Sequence, residues 1–67
     1  MRHSTIGQRV RALREKKGFT QEELGKQAGL HRVQVAQVEG DRYRSPRLET
    51  LRRLAKALRV SLAELLE

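Results

Sequence analysis

Arg32, Val33 and Gln37 are the side chains whose types and spacing can do recognition chemistry. A guanidinium fork donates two parallel bonds to O6 and N7 of one guanine in the major groove. A glutamine amide pairs with adenine or spans a base step, and a valine methyl packs on the thymine C5 methyl. On a helix these positions fall together on one outward face, with Ala36 between them. Gln21 opens the preceding helix, where free N–H groups and the helix dipole favour a phosphate. Catalysis has no comparable material. The chain has no cysteine, and His3 and His31 are its only histidines, which is too few for an ordinary histidine metal cluster. No nucleophile–base pair and no phosphate-cradling glycine loop stands in the sequence. The expectation is a binding protein that is not an enzyme and needs no cofactor or metal.

These residues need a frame, and Thr20 to Glu39, TQEELGKQAGLHRVQVAQVE, supplies it. Thr20 with Glu23 three residues on makes a capping box for a first helix. Leu24 and Ala28 share its inner face, and Gly29 ends it in a left-handed cap. Leu30 plugs the turn. A second helix starts at about His31 with Val35 and Val38 inward. Gly25 is small where the two helices cross. This order of small residue, glycine turn, plug and two inward aliphatics is that of a helix-turn-helix.

The rest of the chain reads as three more helices. Ser4 or Thr5 caps the first, with Gln8 completing a box from Thr5, and Ile6, Val10 and Leu13 face inward while Arg9 and Arg11 face out. Gly18 closes it, and Phe19 follows as a core residue. Gly40 supplies another C-cap. Ser45 and Pro46 read as N-cap and first position of a fourth helix, whose apolar stripe is Leu48, Leu51, Leu54, Ala55 and Leu58. Ser61 and Glu64 box a last short helix carrying Leu62, Leu65 and Leu66. The expected helices span about 5–17, 21–28, 31–39, 46–58 and 62–66, in one all-α domain over 1–67.

Sixty-seven residues bury only about 60% of their unfolded surface, so the stability margin is on the order of a few kcal/mol. The net charge of +7 points to a polyanionic partner. Its distribution is more telling than its size. Residues 1–17 carry six bases against one acid and 41–67 carry seven against four, while 18–40 have two bases against three acids. Positive charge therefore flanks the reading unit, as backbone clamps flank a surface that faces base edges. No apolar run approaches the roughly 20 residues of a membrane span and no signal-peptide core follows the start, so a soluble cytoplasmic protein, nucleoid-associated when bound, is expected.

The sequence resembles the phage repressor and Cro-like regulators often called the Xre family. The matching segments are T-Q-E-E-L at Thr20 to Leu24, A-G-L at Ala28 to Leu30, V-x-x-V-E at Val35 to Glu39, P-x-L-E-T-L from Pro46 to Leu51, and A-K-A-L-x-V-S-L-x-E-L-L from Ala55 to Leu66. Their order and spacing cover nearly the whole chain from Ile6 onward. The resemblance implies a compact five-helix lambda-repressor-like domain that binds double-stranded DNA and regulates transcription. By position matching it implies Arg32, Val33 and Gln37 as base readers, with Gln34 a lesser one. Thr20 and Gln21 are implied at the DNA backbone, with Arg42, Arg44 and Arg47 of the DRYRSPR loop as phosphate clamps and Tyr43 either stacking or merely packed. Arg14 and Glu39 match a structural ion pair joining the first helix to the end of the second helix of the motif. His31 departs from the pattern, which has Ser or Thr as the cap, and reads either as a neutral cap or as an added phosphate or base contact.

One helix reads only a few base pairs, so a palindromic operator bound by two copies, with half-sites about 34 Å apart, is the expected arrangement. Family precedent places a weak homodimer contact at the terminal helix, in Leu62, Leu65 and Leu66, though all three can equally belong to the core. The simplest reading is a repressor. The alternatives are an antitoxin that binds a protein toxin and autoregulates through the same domain, and a non-specific basic binder of nucleic acid. No small-molecule ligand is implied.

Overall fold

Helix starts in this protein are written by pairs of residues three apart. Thr5 with Gln8, Thr20 with Glu23, and Ser61 with Glu64 each exchange two hydrogen bonds between side chain and backbone. Each pair satisfies N–H groups that a helix start otherwise leaves without partners. The computed structural model describes residues 5–41 and 46–66. Within them are five helices: α1 (Ile6–Lys17), α2 (Gln21–Ala28), α3 (Arg32–Glu39), α4 (Leu48–Leu58) and α5 (Leu62–Leu66). None is long and apolar enough to cross a membrane.

The core sits where the inner stripes meet. Val10 of α1, Leu24 of α2, Val35 of α3, Leu54 and Leu58 of α4 and Leu65 of α5 are all fully buried. Ile6, Leu13, Phe19, Leu30 and Val60 pack half-buried around them. The second and third helices lie against each other, α1 backs α3, and α4 backs α2. The close packing of α2 on the turn before α3 falls where the small residue predicts it. A Cβ added at Gly25 would stand 2.7 Å from the Leu30 carbonyl oxygen. Gly29 closes α2 at φ +70°, and the Leu30 N–H returns to the Gly25 carbonyl at 2.8 Å. The bend between α2 and α3 is thus fixed by a left-handed glycine and a backbone bond across the turn.

Three expectations are corrected. The fourth helix begins at Leu48 and not at Pro46: Arg47 is its cap residue, with extended backbone at ψ 142° and no side-chain capping bond. Ser45 lies outside the described residues. Gly40 is the C-cap of α3 as expected, at φ −85°, and the positive φ falls on the next residue, Asp41, at +55°. Asp41 is rewarded by bonds that glycine cannot make. Its carboxylate accepts from the Gly7 N–H at 3.2 Å and from the Thr5 hydroxyl at 2.8 Å, tying the end of α3 to the start of α1. Leu48 does not extend the inner stripe; at the first position of α4 it is 50% exposed. Arg9 is half-buried and turns toward α5, donating to the Leu65 carbonyl at 3.5 Å.

Candidate nucleic-acid interface

α3 is eight residues long, too short to hold itself helical in water. Its inner face is held by Val35 and Val38, which are 0% and 2% exposed. Arg32, Val33 and Gln34 stand exposed at its N-terminal end, and Ala36 and Gln37 are half-buried. Val33 is a β-branched apolar side chain held 44% in solvent. Arg32 and Val33 therefore share an open surface at the start of the helix, with Gln37 farther along and closer in.

The start of α3 has a cap that composition alone did not reveal. The His31 Nδ1 accepts from the Val33 N–H at 3.2 Å, and the Gln34 Oε1 accepts from the His31 N–H at 2.9 Å. Histidine thus serves where serine or threonine was expected, using a ring nitrogen as the acceptor. The signal was present in the sequence: Gln34 follows His31 at the same spacing by which Glu23 follows Thr20. Gln34, expected as a lesser base reader, has its oxygen turned back to its own helix.

At the other end of α3 an ionic cluster fixes the helix to α1. The guanidinium of Arg14 donates to Glu39 through Nε at 2.6 Å and Nη2 at 3.1 Å. Its Nη1 donates to the Phe19 carbonyl at 2.7 Å. The side chains are 12% and 3% exposed, so the pair is largely out of water. The hydrogen bond to Glu39 outweighs the opposing effect of burial and holds Arg14 above the usual arginine range. Gln21 joins the cluster, its Nε2 donating to Glu39 at 3.2 Å. The side chain expected at the DNA backbone is thus turned inward, where it adds a third donor to a carboxylate largely out of water.

α2 presents its N-terminus beside this cluster. Thr20 is exposed and its hydroxyl accepts from the Glu23 N–H at 3.0 Å. The Thr20 backbone N–H donates to the Glu23 carboxylate at 2.8 Å, which pulls that carboxyl below its ordinary range. Arg47 is exposed at the start of α4, while Arg42, Tyr43 and Arg44 lie outside the described residues. On the turn side, Arg53 donates to the Gly29 carbonyl at 3.4 Å and pairs with Glu49 at 3.0 Å, covering the end of α2.

The terminal helix divides the three leucines expected at a dimer contact. Leu65 is fully buried and is part of the core, so it is unavailable to a partner without unfolding α5. Leu62 is half-buried and Leu66 is 52% exposed.

A family model described as Helix-turn-helix matches residues 10–65. The chain is 41% identical over 59 residues to the immunity repressor protein of Bacillus phage phi105, covering 88% of this chain and 40% of that protein's length. Among solved structures, the restriction-modification controller protein C.AhdI from Aeromonas hydrophila superposes with a TM-score of 0.85 at 40% identity, over 90% of this chain and 89% of that one. The P22 c2 repressor, solved in complex with a synthetic operator, superposes with a TM-score of 0.86 at 36% identity, over 94% of both chains.

Proposed function

The chain belongs to the helix-turn-helix family of Cro/C1-type regulators, and from that membership we propose that it is a transcriptional repressor that occupies a palindromic DNA operator as a dimer. The observation that carries this reading is the two-sided character of α3. Val35 and Val38 are sealed in the core while Arg32 and Val33 stand in solvent on a helix fixed at both ends. A helix so held can lie in the major groove with its N-terminal half at base edges.

In this reading Arg32 pairs with O6 and N7 of a guanine, Val33 packs on a thymine methyl, and Gln37 meets a base farther along the groove. The start of α2 receives a phosphate through its backbone N–H groups and the Thr20 hydroxyl. Gln21 contributes through its backbone, since its amide serves Glu39. Arg42, Arg44 and Arg47 grip the sugar-phosphate backbone outside the reading helix. Two copies meet through Leu66 with the edge of Leu62, weakly in solution and more firmly on DNA. Repression then follows from occupying the site that polymerase would use.

Selection of bound duplexes from a random pool at a stated salt concentration tests the proposal. A palindromic site bound about 10³-fold or more tighter than random duplex is the expected result. Equal affinity for every duplex would leave only a non-specific basic binder.

A further inference from the structure

We infer that the cap of α3 makes Gln34 a one-way reader, a side chain that offers hydrogen-bond donors to the groove and so selects guanine over adenine at its base pair. The inference rests on the proposed placement of α3 in the major groove and adds a specificity residue with a stated chemical preference.

The argument begins with the polarity of backbone groups. A peptide N–H can only donate. The atom of Gln34 that stands 2.9 Å from the His31 N–H must therefore be the carbonyl oxygen, and the NH₂ group must point the other way. Turning the amide over would set two donors against each other and cost the helix start a hydrogen bond. The same logic fixes the ring of His31. Its Nδ1 accepts from the Val33 N–H at 3.2 Å, so in the neutral ring the proton sits on Nε2. Two side chains that in isolation can donate or accept are thus each oriented by a backbone donor. Arg32 between them has only donors. At the exposed residues 31, 32 and 34, the side-chain hydrogen-bonding groups not already engaged by a backbone N–H are N–H donors.

Base edges differ in what they can return to such a surface. Guanine offers two adjacent acceptors, N7 and O6, in the major groove, whereas adenine offers N7 beside the N6 amino donor. A glutamine reads adenine by donating to N7 while accepting from N6, which uses both ends of the amide at once. At Gln34 the oxygen already holds the His31 N–H. An adenine bonded to both ends would have to crowd in beside that N–H. Guanine needs only the free NH₂ end.

The test is the Gln34→Glu variant on the duplex selected from a random pool. A glutamate keeps the acceptor for the His31 N–H, as Glu23 and Glu64 do in the boxes of α2 and α5, but has no donor to offer. Thermal unfolding checks that the fold is retained. Affinities are compared across the selected duplex and its single-base variants, and the ratio between bases at one position cancels the general repulsion between glutamate and DNA. The wild type should favour guanine over adenine about tenfold at one position distinct from the one that Arg32→Ala relaxes. In Gln34→Glu that ratio should fall to one or below, because a carboxylate only accepts and meets a donor at adenine N6 but none at the guanine edge. Placing 7-deazaguanine there should weaken the wild type severalfold and should not weaken the variant. The inference is overturned if Gln34→Glu keeps every base preference, or if adenine is bound there as well as guanine. A pool that yields no favoured duplex at all would overturn the base-reading proposal with it.

Discussion

Replacing Arg14 by methionine should unfold the protein before it tells anything about DNA. Glu39 accepts three bonds in the structure, two from Arg14 at 2.6 and 3.1 Å and one from Gln21 at 3.2 Å, with its side chain 3% exposed. Methionine keeps most of the buried stem and removes the charge. It leaves a carboxylate nearly out of water with a single neutral donor, and frees the Phe19 carbonyl that Nη1 had served. Breaking one side of a buried pair costs about 3–5 kcal/mol, against about 0–1 for an exposed pair. A domain of this size rarely holds more than about 3–5 kcal/mol in total. The melting temperature should therefore fall by more than about 12 °C. Glu39→Gln is the informative partner change: it removes the buried charge and can still bond to Gln21. The double variant Arg14→Met/Glu39→Gln should recover about 2–3 kcal/mol relative to the sum of the single changes. The assay is urea unfolding followed by circular dichroism, with DNA binding scored per folded molecule. A loss under about 1 kcal/mol for Arg14→Met, or strictly additive effects, would refute the claim that this pair holds α3 in place.

Reading and clamping should separate in salt titrations. Arg32→Ala should cost about 1–3 kcal/mol on the selected site and relax one base position while sparing random duplex, whereas Arg47→Ala should weaken all duplexes alike and shrink the salt slope by about 0.9. Gly25→Ala places a Cβ 2.7 Å from the Leu30 carbonyl oxygen, so over-packing of about 1–3 kcal/mol should exceed the roughly 1 kcal/mol gained in helix propensity, and thermal unfolding will show the net loss. Glu23 is held below its ordinary value of 4.5, chiefly by the Thr20 N–H. A carboxyl depressed in the folded state stabilises at pH above its unfolded value and loses that contribution as pH falls through the folded one. The advantage of the wild type over Glu23→Gln should accordingly be present at neutral pH and vanish on acidification below 4.5, as read by unfolding at a series of pH values. Leu66→Ser should lower self-association in sedimentation without changing the melting temperature, because that side chain is 52% exposed.

What was legible in the sequence is what local rules determine. The stripes through Val10, Leu24, Val35, Leu54 and Leu58, the threonine boxes and the bend at Gly29 all follow from spacing and backbone geometry, and the structure places them so. What was not legible depends on groups far apart in sequence. Asp41 adopts a positive φ because Thr5 and Gly7, over thirty positions away, supply its bonds. Gln21 turns inward to donate to Glu39, 18 positions away. Leu65 and Leu66 are the same residue type side by side, and only the closing of α5 on α1 and α4 decides which is core. Arg14 and Glu39 are an exception: 25 positions separate them, and it is the resemblance to a family, and not periodicity, that pairs them.

The reading helix owes its shape to other elements, and this couples recognition to folding. Eight residues cannot sustain a helix alone. Its first turn depends on the side chains of His31 and Gln34, its middle on Val35 and Val38, its last turn on Arg14 reaching Glu39 from α1, and its exit on Asp41 held by Thr5 and Gly7. Three of these four supports are polar and two come from α1 and its cap, an element with no proposed base contact. A loss of DNA binding on changing α1 therefore says nothing about contact with DNA until the folded fraction is known. Conversely, a change confined to the side chain of Arg32 or Val33 touches no support and should read out recognition alone. The same polar cap that completes the helix also sets which way its glutamine faces. Stability and base preference thus meet in one side chain, and Gln34→Glu divides them because it keeps the acceptor and removes the donor.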